Sequence, residues 1–144
     1  AMKGQPLPIT GDGKMTRDFT YVEDIVDALM RAGIREDAIG QEINIASATE
    51  TEIVEMANTV NQLTGNKAGL SFTDRRKWDT KSRLLASIDQ AKELLGYQPK
   101  TDFATGLGKT IRWFEENWEA IKNDAEFPPG MSSAVRNYVL KQEK

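Results

Sequence analysis

A change of hydrophobic period between Pro6 and Met30 leaves few folds open to this 144-residue chain. PLPIT, Pro6 to Thr10, reads as a short strand ending at Gly11-Asp12-Gly13, where glycines supply the positive φ of a tight reversal. Phe19, Tyr21 and Val22 suggest a second short strand. From Val22 the apolar residues fall instead at Val22, Ile25, Val26, Leu29 and Met30, the stripe of an amphipathic helix that ends near Gly33. Glu23 and Asp24 in its first turn suit the helix dipole. Strand, glycine turn, strand and helix in so short a span point to an α/β layer, with Arg17 fixed at the mouth of whatever site it builds.

Further along, Glu42-Ile43-Asn44-Ile45-Ala46 reads as a strand between Gly40 and the Ser/Thr-rich run Ser47 to Thr51. Thr49 with Glu52 forms a capping-box pattern for a helix with Ile53, Met56, Ala57, Val60 and Leu63 on one stripe, stopped by Gly65-Asn66. Gly69 to Thr73 suggests another strand. Asp74 to Arg83, DRRKWDTKSR, has no apolar period and reads as a loop. Ser87 and Gln90 fit the start of a short helix with Ala91, Leu94 and Leu95, closed by Gly96 ahead of Pro99. Asp102 is placed to cap the longest helix, with Phe103, Leu107, Ile111, Phe114, Trp118 and Ile121 on one side. Phe127-Pro128-Pro129-Gly130 then breaks the chain, and Ser132 or Ser133 opens a last helix with Val135, Tyr138 and Val139. The expectation is an α/β fold of short strands and four to five helices, with one domain over 1–123 and an extension with a helix over 124–144.

Composition excludes several chemistries. With no histidine there is no imidazole base, His-based triad or imidazole metal site, and with no cysteine there is no disulfide, thiolate zinc site or cysteine nucleophile. The lack of cysteine fits a cytoplasmic protein. A net charge of -3 gives no general field for nucleic acid or an anionic membrane, and no apolar run approaches the roughly 20 residues of a membrane span, so a soluble protein is expected.

Several motifs have plain readings. Gly11-x-Gly13-x-x-Thr16 lacks the third glycine of a dinucleotide fingerprint and leads to a strand rather than a helix, so a turn is favoured. Gly106-Leu107-Gly108-Lys109-Thr110 ends like a phosphate loop but lies within a helical stripe, where Gly106 and Gly108 allow close packing. The carboxylates Asp18, Glu23, Asp24 and Asp27 resemble a magnesium site, yet a solvated helix start explains them, and no metal is expected. Arg75, Arg76, Lys77, Lys81 and Arg83 around Trp78 resemble a phosphate-contacting loop or a merely solvated one, and the acidic remainder of the chain argues against nucleic acid. Trp113, Phe114 and Trp118 fit core packing.

Taken in order, Gly11-Asp12-Gly13, Thr16-Arg17-Asp18-Phe19, Tyr21-Val22-x-Asp24, Asn44-Ile45, Arg76-x-x-Asp79, Asp89-x-x-Lys92, Leu95-Gly96-Tyr97-x-Pro99 and Gly106-Leu107 to Trp113-Phe114 resemble the C-terminal portion of extended short-chain dehydrogenase/reductases. UDP-glucose 4-epimerase-like nucleotide-sugar enzymes are the nearest pattern, over about Pro6 to Trp118. The resemblance implies an NAD-using parent whose Rossmann half and Tyr-x-x-x-Lys pair are not in this sequence, so no cofactor site and no catalytic residue are expected on this chain. It implies a nucleotide-sugar ligand, with Arg17 and Arg76 on the diphosphate and Asp79 near the ribose or ordering Arg76. Asp18, Tyr21 and Asp24 take structural roles as strand partner, packed aromatic and helix-start carboxylate, while Asn44 fixes the loop after its strand. The Val22 to Met30 helix and the Glu42 to Ala46 strand would lie against the Rossmann half, so an exposed apolar face and sheet edge are expected, covered by such a half or by a second copy. A non-catalytic assembly module is the alternative.

Overall fold

The computed structural model describes residues 1–124. The final helix expected near Ser132 to Val139 lies outside the described residues. The chain divides at Ile111 into a unit Ala1–Ile111 and a second that begins at Arg112.

In the first unit two small sheets carry the site. Strand β1 (Leu7–Thr10) runs parallel to β4 (Leu70–Thr73), with Leu7 opposite Leu70 and Thr10 opposite Thr73. Between them in sequence, β2 (Thr16–Asp18) pairs antiparallel with β3 (Glu50–Glu52), setting Arg17 opposite Thr51. On its other side β2 bridges to Arg83, with Thr16 donating to the Ser82 carbonyl and Leu84 to that of Thr16. Helix α1 spans Val22–Ala32, α2 Ile53–Thr64, α3 Asp89–Leu95 and α4 Phe103–Glu116. The core under α1 and α3 is Ala28, Ala46, Ile88, Ala91, Leu95 and Tyr97, with Tyr97 and Leu95 its largest enclosed side chains. Gly65 and Gly96 close α2 and α3 in the left-handed conformation, as their place after each stripe requires.

Four elements differ from the pattern reading. The second strand is Thr16–Asp18 rather than Phe19 to Val22. Polar cross-strand bonds set it: the Thr16 hydroxyl donates to Glu50 at 2.7 Å, while Phe19 turns away to meet the Phe103 ring at 5.2 Å. Glu42 to Ala46 is not a strand, since no strand among the described residues pairs with it. The capping box at Thr49 gives way to β3. Helix α2 therefore starts at Ile53, and its first amides donate to the carbonyls of Met15 and Gly13, contacts that no local pattern encodes. At α3 the N-cap is Ile88; Ser87 accepts the Asp89 amide at 3.3 Å and Gln90 reaches Gln41.

Asp102 does cap α4, accepting the Thr105 amide at 2.9 Å, and the Thr105 hydroxyl beside it holds the carboxyl below its ordinary range. Gly106 faces Tyr21 so closely that a Cβ there would stand 3.1 Å from its ring. Gly108 faces open space, which leaves close packing to Gly106 alone.

In the second unit the helical stripe is interrupted at Asn117, whose side-chain amide donates to the Trp113 carbonyl at 2.8 Å. Helix α5 (Trp118–Asp124) follows, and the Trp113 and Phe114 rings meet edge to face at 5.3 Å, with Trp113 54% exposed rather than in a core.

Candidate functional site

The parallel strands β1 and β4 end side by side, and each runs into a segment that carries arginine. This is the end of a parallel sheet at which α/β folds place ligands. After β1 the chain reverses at Gly11 and Gly13, with φ of 73° and 72°. The Asp12 carboxylate accepts the Lys14 amide at 3.0 Å within that turn. A Cβ at Gly13 would meet Val54 at 3.0 Å and Ile9 at 3.1 Å, so this glycine is filled from inside the protein. It offers no cradle for a pyrophosphate, and the chain beyond it is the strand β2 rather than a helix; the residues here do not fit a dinucleotide.

Strand β2 then presents Arg17, which is half-buried. Its guanidinium donates to its neighbour's carbonyl, Thr16, at 2.7 Å and to Lys81 at 3.3 Å. The loop after β4 thus holds Arg17 from above. Within that loop Asp79 takes Arg76 in a two-point ion pair, Nε at 2.9 Å and Nη2 at 3.4 Å, and the Asp79 amide closes the turn on the Arg76 carbonyl. Arg76 lies 6.0 Å from the centre of the Trp78 ring, and Trp78 is 71% exposed. A planar fork pinned on one edge keeps donors on the other for phosphate oxygens.

The basic loop is therefore not uniformly solvated charge. Arg83 is spent on Glu50, with two contacts of 2.7 Å, and that guanidinium together with the Thr16 hydroxyl lowers the Glu50 carboxyl to about 2. The pair straps the loop end to β3 across β2.

The acidic residues are tied to separate partners. Asp18 accepts the amides of Ser47 at 2.9 Å and Ala48 at 3.0 Å and the Ser47 hydroxyl at 2.6 Å, holding Ala48 at a φ of 55°. The loop after residue 46 is thus fixed by Asp18; Asn44 is exposed. Asp24, buried, accepts the amides of Lys100 and Thr101. Asp27 pairs with Arg31 and Lys100, and Glu23 with Lys109, which also sits 4.9 Å over the Tyr21 ring. Of the four, Glu23 stays exposed at the helix start as expected, whereas Asp24 is buried and Asp18 is held by the loop after residue 46. Among the described residues no group of acidic side chains is placed to hold a metal, and no helix is long and apolar enough to cross a membrane.

Of the residues expected at a substrate site, Arg17 lies on β2, and Arg76 and Asp79 lie on the loop after β4 that holds Arg17. Sequence reasoning missed the use of main-chain oxygens, Lys81 above all, for which no side-chain pattern exists.

In this α/β unit Arg75 and Arg76 follow β4 directly, and Arg17 lies on β2 beyond the turn that ends β1. The profile described as GDP-mannose 4,6 dehydratase matches residues 1–110, and this chain belongs to that family, among the extended short-chain dehydrogenase/reductases. It is similar to an epimerase of Methanothermobacter thermautotrophicus, 56% identical with a TM-score of 0.85, over 88% of this chain and 38% of that one. A UDP-glucuronic acid 4-epimerase of Bacillus cereus, solved in complex with UDP-glucuronic acid and NAD, is 28% identical with a TM-score of 0.73 over 80% of this chain and 37% of its own. UDP-glucuronic acid decarboxylase 1 of Xenopus tropicalis is 31% identical over 136 residues, which is 94% of this chain and 32% of that protein. The chain spans about a third of the length of such relatives and matches the C-terminal part of the epimerase structures.

Proposed function

We propose that this chain is the nucleotide-sugar-binding part of an NAD-dependent epimerase or dehydratase of the UDP-glucose 4-epimerase type, with a UDP-sugar as ligand. The observation that carries this is one loop, 74–83, holding Arg17 through Lys81 and Arg76 through Asp79 at the shared end of β1 and β4. In this reading Arg17 and Arg76 grip the diphosphate, and Asp79 orders Arg76. NAD belongs to the remainder of such an enzyme. This sequence has neither the glycine fingerprint nor a Tyr-x-x-x-Lys pair, so the chain alone binds without turnover. Residues 1–123 form the binding domain, and 124–144 are an extension. The absence of cysteine suits a cytoplasmic setting.

Calorimetric titration with UDP-glucose tests the reading. Binding that Arg17→Ala and Arg76→Ala each weaken at least tenfold supports it. Failure of the unaltered chain to bind any UDP-sugar, or turnover by the purified chain, overturns it.

One observation favours a second reading, a non-catalytic assembly module. The outward stripe of α1 is apolar yet open, with Val22, Val26, Leu29 and Met30 each more than half exposed, and beside it a cleft of about 260 Å³ is lined by Leu29, Ile39, Ile43 and Ile45. A face of this kind calls for a cover, either a Rossmann half or a second copy. Assembly without any nucleotide-sugar affinity would favour this reading over the first.

A further inference from the structure

Immediately before Arg76 the loop carries another arginine, and the two differ in what their charge meets. The stem of Arg75 lies along the Gly11 turn, where a Cβ on Gly11 would stand 3.6 Å from Arg75 Cβ and 3.7 Å from its Cγ. Its Nε donates to the Asp79 carbonyl at 3.0 Å. Asp79 therefore holds both neighbours, Arg75 by its main-chain oxygen and Arg76 by its carboxylate. The carboxylate neutralises Arg76; a carbonyl positions Arg75 and leaves its full charge.

Arg31 and Arg83 are likewise compensated, by Asp27 and Glu50. Among the described residues, Arg17 and Arg75 are the guanidiniums fixed by carbonyl oxygens with no carboxylate in ion-pair range. Their anchors, Lys81 and Asp79, are two positions apart on one loop, and such Cα atoms lie within about 7 Å of each other. Two oriented, uncompensated forks with anchors this close suit a ligand with two adjacent anionic centres.

We infer that Arg75 is a diphosphate-binding residue that works with Arg17 across the loop, adding a third guanidinium to the site. The inference rests on the nucleotide-sugar reading above. It is tested by measuring the affinities of UDP and of uridine for the full chain and for Arg75→Gln, Arg75→Lys and Arg35→Gln. Arg75→Gln should weaken UDP at least tenfold and leave uridine within twofold. Arg75→Lys should recover part of the UDP affinity because the charge is restored, and Arg35→Gln, which removes an exposed charge outside the loop, should change UDP less than threefold. If the unaltered chain binds neither UDP nor uridine, the nucleotide-sugar reading falls and the inference with it. If it binds UDP and Arg75→Gln binds it equally well, only the inference falls. Equal loss of UDP and uridine in both the Gln and Lys variants would make Arg75 a structural support and would also overturn it.

Discussion

Asp24 joins the start of α1 to the segment that opens α4, and its replacement gives a measurable account of how the fold is held. The residue is 4% exposed; Oδ1 accepts the Lys100 amide at 3.2 Å and Oδ2 the Thr101 amide at 3.1 Å. A hydrogen bond to a charged group contributes about 1.5–3 kcal/mol, so Asp24→Ala would forfeit roughly 3–6 kcal/mol if both amides stayed dry. Lys100 is exposed, and water restoring part of the loss brings the expected cost to about 2–4 kcal/mol. Asp24→Asn is the sharper variant because it keeps the shape. One of its two ends is a donor, which then faces a main-chain donor, so it is expected to lose about half as much or more. Urea unfolding followed by far-UV circular dichroism reads both; with a slope of about 1–3 kcal/mol per molar, the alanine variant should unfold at a midpoint lower by about 1–2 M. An asparagine variant within about 0.5 kcal/mol of the unaltered chain, the usual span of neutral surface changes, would refute the reasoning.

Three further outcomes are expected. The folded state holds the Glu50 carboxyl at about 2, below its ordinary 4.5, so its contribution to stability is complete above 4.5 and is lost as the pH falls toward 2. Glu50→Gln should therefore flatten the melting temperature against pH in that window, and a curve that keeps its slope there would contradict the assignment. Gly106→Val places a branched side chain where a Cβ alone stands 3.1 Å from Tyr21; overpacking of this kind costs about 1–3 kcal/mol, a fall in Tm of roughly 5–15 °C, and an unchanged Tm would show that Tyr21 gives way. Charging the open face of α1 with Leu29→Lys and Met30→Glu should reduce self-association in multi-angle light scattering, and a chain already monomeric across a wide concentration range would remove the need for a cover.

Where the sequence was legible, local chemistry decided the outcome. Helices α1 and α2 follow their apolar stripes, Gly65 and Gly96 stop helices because their φ is positive, and Asp102 caps through its own side chain. Where it was not, a distant partner decided. Thr16–Asp18 became a strand through Glu50 and Arg83, and α2 lost its local cap to carbonyls of the Gly13 turn. Glu42 to Ala46 has the alternation of a strand, but a ladder needs a second chain segment; here the stretch packs on the core, and the Tyr97 hydroxyl donates to the Ala46 carbonyl at 3.0 Å. At the site the charged residues were legible and their division of labour was not, because neutralised and free guanidiniums have the same letter in the sequence.

The pairing of β1 with β4 also sets an order of events during synthesis. The Thr73 hydroxyl reaches the Ile9 carbonyl across 64 residues, so closing this contact costs more loop entropy than any helix among the described residues requires. Arg17 leaves the ribosome well before Arg75 exists, and at about 5–20 residues per second the interval is of the order of several seconds. During that interval Arg17 has no Lys81 carbonyl to orient it. A message or protease cut that ends the chain before Thr73 would therefore yield a fragment with intact α1 sequence and no loop 74–83 to hold Arg17.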